Sequence, residues 1–197
     1  GAAGRVDLSG AKVEYSEVGV LRLVAGSTDS DALKVFAHEN NTFKGAEVVL
    51  DSAGGLIFAD EAPITVEASS GKAVLKGQKI DLKSGSSVKA AGEATVRGYD
   101  SLVLGDNISV GGSSVSITGG QQAFSLGNNV SLAATNGGIE VLADADATLG
   151  GSLNVNASLK DPSAGDEAPI RIGAQGVLNV TEDEFEVIAE NGSVDIF

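Results

Sequence analysis

The chain of 197 residues contains no cysteine, methionine or tryptophan, a single histidine, three prolines and only 4% aromatic residues. Without cysteine the fold is not held by disulfides, although an oxidising compartment remains compatible with such a sequence. The lone histidine, His38 in AHENN, stands without a cysteine or serine nucleophile motif and reads as a loop or cap residue rather than a general base. Scarce rings leave few platforms for stacking sugars and point to a core of small branched side chains. No apolar run approaches 18 residues and no signal peptide is visible, so direct membrane insertion is not expected. Helical periodicity is missing too. The nearest window, Ala32 to Glu39, alternates as Leu33, Val35 and Ala37, and less than about a tenth of helix is expected.

What is present is glycine, 27 of it, and a beat. In LGNNVSLAATNGGIEVLADADATLGGSLNVNASL, residues 126 to 159, Val130 and Leu132 flank Ser131, Ile139 and Val141 flank Glu140, and Leu153 and Val155 flank Asn154. Period two is the signature of a strand with one buried and one wet face. Asn128-Asn129, Asn136-Gly137-Gly138 and Gly150-Gly151 interrupt the runs with residues that tolerate sharp bends. Apolar centres recur roughly every seven to nine residues back to Ile64, which leaves room for strands of about four or five residues. The inward set is expected to include Ile80, Leu82, Val96, Leu104, Val110, Ile117, Leu126, Val130, Leu132, Ile139, Val141, Leu153 and Val155.

A β-sandwich would need longer strands and larger inward residues. The pattern instead predicts an all-β parallel β-helix of short strands, either closed by one chain or shared among three chains in a trimer. Three runs make a coil of roughly 20 to 24 residues, stacked at about 4.8 Å. A single domain over 1–197 is expected. Residues 1–60, which hold Tyr15, Phe36, Phe43, Phe58 and His38, read as atypical N-terminal cap coils, 61–159 as regular coils, 160–169 as a loop and 170–197 as C-terminal coils with an edge. The chain begins GAAGR rather than with Met, which reads as a processed or excised segment.

The Val-x-Leu-x-Ala/Gly-Gly-x beat of residues 101 to 159 resembles the repeats of filamentous-haemagglutinin-type and autotransporter surface proteins. That resemblance implies a parallel β-helix used in adhesion. The cadence ITVEASSGKAVLKGQKIDL, Ile64 to Leu82, is similar to that of the sarcoglycan ectodomain, a family that builds a β-helix from several chains, carries N-glycans and ends in a cysteine cluster. The cluster has no counterpart in this sequence. Both likenesses cover about half of the chain and rest on periodicity, so they carry fold further than function.

Asn40, Asn107, Asn129, Asn156, Asn179 and Asn191 each begin an Asn-x-Ser/Thr triplet without proline, the acceptor pattern for N-glycosylation. Two accounts compete: a glycosylated extracellular chain, or a turn Asn, inward Val and outward Ser written by the strand pattern itself, as in NNVSL and DNISV. Both place these residues on the outside. The net charge of −14 argues against nucleic acid and against unaided binding to anionic lipid. Among the acidic clusters, Asp29/Asp31 and Asp144/Asp146 are the candidates for a Ca²⁺ ion. Neither the EF-hand spacing nor the Gly-Gly-x-Gly-x-Asp nonapeptide is present, so the carboxylates read as a solvated surface and no metal or other cofactor is expected.

Polysaccharide-cleaving β-helices need paired carboxylates, or acidic metal ligands beside a basic residue, on one face. Lys89, Arg97 and Arg171 lie far apart in sequence and no carboxylate pair recurs around them at the coil spacing. The sequence therefore predicts a non-enzymatic, extracellular or cell-surface structural protein: a stalk, surface or filament subunit. The alternatives are an adhesin recognising a glycan or surface protein, and a carbohydrate-active β-helix enzyme. Self-association is expected at uncovered edges, with Val6 and Val13 at one end and Phe185, Val187, Val194, Ile196 and Phe197 at the other.

Overall fold

A computed structural model describes residues 4–8, 11–15, 19–25, 42–57, 63–158, 169–181, 185–189 and 193–197. All regular structure among them is β, and the strands stack in parallel as a β-solenoid of about 6 turns. One long ladder runs through β4 (Thr42–Gly45), β6 (Thr65–Ala68), β8 (Ser87–Ala90), β10 (Ser109–Gly112), β13 (Ser131–Ala134), β16 (Leu153–Ala157) and β19 (Phe185–Ala189). The second sheet begins with β3 (Val20–Ala25), β5 (Glu47–Ile57), β7 (Ala73–Leu82) and β9 (Ala94–Leu104). It then divides into two rows. One row is β11 (Val115–Gly119), β14 (Ile139–Ala143), β17 (Ile170–Ala174) and β20 (Val194–Ile196); the other is β12 (Ala123–Leu126), β15 (Ala147–Leu149) and β18 (Leu178–Val180). Residues before the coil form an antiparallel hairpin of β1 (Gly4–Leu8) and β2 (Ala11–Tyr15).

The register explains why the sequence beats as it does. Val66, Val88, Val110, Leu132 and Val155 are successive partners in one column, 22 or 23 residues apart, inside the expected coil length. Between β16 and β19 the interval lengthens to 32 residues. In this column a β-branched or leucine side chain meets its own kind one coil above and below and fills a narrow core without large rings. All thirteen residues expected to point inward are buried. Two rings enter the core as well, Phe43 and Phe124, and Phe124 has room because its column neighbours are Leu102 and the small Ala147. One chain supplies every wall around this core, the single-chain form of the β-helix.

Two details bear on the reading of short strands and of N-terminal cap coils. First, β5 and β9 run for 11 residues and β7 for 10, since the chain turns its corner without leaving the ladder. The turn is made at Gly77 and Gly98, stacked partners beside a register shift. One coil later Gly119 continues that column, but Gly119 and Gly120 adopt φ of 118° and 80°, and the strand divides into β11 and β12. Second, β3, β4 and β5 lie within residues 1–60 and already belong to the coil ladders.

Candidate functional site

Among the described residues, the terminal strands of the ladders have unused main-chain bonding capacity. A parallel ladder satisfies each strand from both sides except at its terminal members, which present a free row of N–H and C=O groups. At the C-terminal end these members are β18, β19 and β20, each paired on one side only among the described residues. At the other end β3 and β4 are each paired on one side only among the described residues, although Leu21 and Phe43 on them are buried. The strand β20 is well anchored beneath. The Ile170 N–H donates to Ser193 O (2.8 Å), the Phe197 N–H to Ile172 O (3.1 Å) and the Ala174 N–H to Phe197 O (3.1 Å).

Side chains make the two ends unlike. Val177, Val180, Val194, Ile196 and Phe197 are exposed at the C-terminal end, whereas Val20 is the exposed large apolar residue on β3. The Phe197 ring lies against Gly173, where any side chain would collide with it, and the Arg171 guanidinium stands 5.5 Å from the ring centroid. Arg171 also donates to Glu140 Oε1 at 3.4 Å, and Asp195 is its register partner on the other side. Glu140, Arg171 and Asp195 thus follow one another as an outward column of alternating charge. At the far end of the same column stands the exposed Arg22, register partner of Val49.

The residues singled out from the sequence distribute as follows. Val194, Ile196 and Phe197 form the open end, while Phe185 and Val187 on β19 are half-buried against the core. Val6 and Val13 are each other's partners in a two-stranded antiparallel sheet, β1–β2, separate from the coil ladders that begin with β3 and β4. Arg22 was not singled out, and its only sequence signal is its place as the polar residue between Leu21 and Leu23 in the first coil strand.

Asn107 and Asn129 are exposed at the corner before the first ladder, with φ of 56° and 54°, in line with Gly85 and Ser152. Asparagine is the residue other than glycine best suited to that conformation. The corners are also bonded to each other: the Asn128 N–H donates to Asp106 Oδ1 (2.7 Å), the Gly151 N–H to Asn128 Oδ1 (2.8 Å) and Asn129 Nδ2 to Asn107 Oδ1 (3.2 Å). Asn156 lies half-buried in β16, Asn179 is exposed in β18, and Asn40 and Asn191 fall outside the described residues.

Asp146 Oδ1 accepts the Val177 N–H at 2.8 Å, a turn contact rather than a ligand position. Among the described residues no group of three His, Cys, Asp or Glu side chains could hold a metal ion; Asp29, Asp31 and His38 lie outside them. Lys89 belongs to β8 in the first ladder, Arg97 stands over the Tyr99 ring in the second, and Arg171 belongs to the end, so the three are not gathered into one cleft. No family model, curated protein or solved structure matches this chain.

Proposed function

We propose that this protein is a non-enzymatic extracellular structural protein, a β-helical stalk, surface or filament subunit that associates with itself through the open ends of its coil. The observation that carries the reading is the C-terminal end, where three edge strands with free main-chain groups coincide with nearly all the exposed large apolar side chains of the described residues. Apolar surface and unpaired strand edges concentrated at one place favour association, and an identical chain offers strands of the same spacing and polarity. The sides of the rod are polar and the chain is strongly acidic, which disfavours lateral clumping. The six Asn-x-Ser/Thr triplets and the resemblance to surface-protein repeats support the extracellular setting.

Light scattering of the purified chain across a wide concentration range tests the reading. The expected outcome is a mass that rises above the 19.6 kDa of one chain as concentration increases. A chain that stays monomeric at high concentration refutes it.

A second reading, an adhesive module, draws on the outward column Thr65, Ser87, Ser109, Ser131 and Asn154. These residues set hydroxyl and amide groups at strand spacing along one flat ladder. A monomer that binds immobilised glycans would favour it.

A further inference from the structure

We infer that the adhesive surface of the second reading is the part of the first ladder around Gly111 and Ala133, and that its ligand is an uncharged polysaccharide. The inference rests on that second reading and names the class of ligand.

The argument follows one outward column. Lys44, Glu67, Lys89, Gly111, Ala133 and Asn156 are successive register partners on the outside of the first ladder. The column begins with charges of alternating sign, and Lys44 and Glu67 form an ion pair. From Gly111 onward it holds no charge. The neighbouring outward column is uncharged over the same coils, with Ser109, Ser131 and Asn154. The four charged residues between 105 and 158, Asp106, Glu140, Asp144 and Asp146, all stand at corners or on the second sheet.

Gly111 points further. Glycine weakens a strand interior, and its usual reasons for being there are a bulge, a bend or the close approach of another group. The register runs unbroken through Gly111 to both neighbouring coils, and its φ is not positive. An added Cβ would meet nothing nearer than the Ala133 carbonyl at 3.7 Å, so the fold does not require glycine. Close approach from the outer side is what remains. Gly111 and Ala133 leave the main chain near the surface between Ser109 and Ser131 on one flank and Ser113 and Thr135 on the other. Ser131, Ala133, Thr135 and Asn154 are exposed, and the side chains of Ser109, Ser131, Asn154 and Asn156 make no hydrogen bond among the described residues.

These features select the ligand. Hydroxyl and amide groups repeated about every 4.8 Å suit a polymer that offers hydroxyl groups in turn. A face without charge favours neither an acidic nor a basic partner. No ring is available for stacking on these coils, so each contact is weak and binding grows with the number engaged along the chain. Two copies laid face to face would bury the same polar groups with little apolar area to offset them.

Co-sedimentation with insoluble cellulose and chitin, and affinity electrophoresis in mannan, test the inference against polygalacturonate as the acidic counterpart. The chain is produced without N-glycans, since Asn107 and Asn129 border this face and Asn156 lies on it, and a glycan there would cover it. The strip is closed by Gly111→Glu together with Ala133→Lys, which continue the alternation of Lys44, Glu67 and Lys89; Ser116→Lys on β11 is the control on the other sheet. Circular dichroism unchanged from the parent verifies the fold of each variant. The expected result is retention by a neutral polysaccharide and not by polygalacturonate, weakened about tenfold or more in the double variant and unchanged in the control. Retention that the double variant keeps shows that the strip is wrong while the adhesive reading stands. Retention by polygalacturonate alone overturns the ligand class. A double variant that loses self-association instead identifies a second copy as the occupant and overturns the inference. If no polysaccharide retains the chain, the inference and the adhesive reading fall together.

Discussion

Burial at single positions separates residues that are neighbours in sequence. Ile139 is wholly enclosed in the column between Val115 and Ile170, whereas Glu140 points outward to Arg171. An aspartate at 139 would bury a charge with no partner, so Ile139→Asp is expected to cost at least about 3 kcal/mol. Glu140→Ala removes a half-exposed ion pair and should change stability by less than about 1 kcal/mol. Chemical denaturation of the two variants checks the pair of values, and similar losses would contradict the register. At this scale the sequence was highly legible, because alternation in a strand leaves only two directions for a side chain and the apolar one must be inward. The triplets at Asn107 and Asn129 were legible as outside positions, but their bond to each other was not, since it joins residues 22 apart whose stacking appears only once the coil is wound.

Strands and corners were read less well than residues. The expectation of four- or five-residue strands matches β10, β12 and β13 but not β5, β7 and β9. Glycine marks a corner in either case; whether hydrogen bonding continues through it depends on the coil above and below rather than on the local sequence. Gly119 shows what the corner requires. Its φ of 118° is unsuited to an L side chain, and an added Cβ would collide with the Gly98 carbonyl of the coil beneath. Gly111, in the flat part of β10, has nothing nearer to an added Cβ than the Ala133 carbonyl at 3.7 Å. Gly119→Ala is therefore expected to destabilise the fold by roughly 2 kcal/mol or more. Gly111→Ala should be neutral or slightly stabilising, because it restricts the unfolded chain without strain. Thermal unfolding of the two variants distinguishes a corner glycine from a flat one; equal midpoints would mean that the corner column bears no such constraint.

For the molecule as a whole, the coil was legible because it repeats, and the ends were not because they do not. Val6 and Val13 carried the same alternating signal as the coil strands, yet they pair with each other in a separate antiparallel sheet. The last five residues follow a different logic from the rest of the rod. Ser193 to Phe197 bond to β17 beneath but have no strand above among the described residues, so their removal takes away Val194, Asp195, Ile196 and Phe197 without withdrawing a wall from the central coils. Ile170 and Ile172, now buried, would become the new rim. Deleting 193–197 should accordingly weaken self-association by about tenfold or more, equivalent to at least ~1.4 kcal/mol per joint. The β spectrum and cooperative unfolding of the coils from β6 to β16 should persist, since each repeat depends chiefly on its immediate neighbours. Sedimentation velocity on the truncated and 197-residue chains at matched concentrations measures the first effect, and circular dichroism the second. Undiminished assembly of the truncated chain would remove the C-terminal edge from the joint; loss of the β spectrum would show instead that these five residues hold the coil itself together.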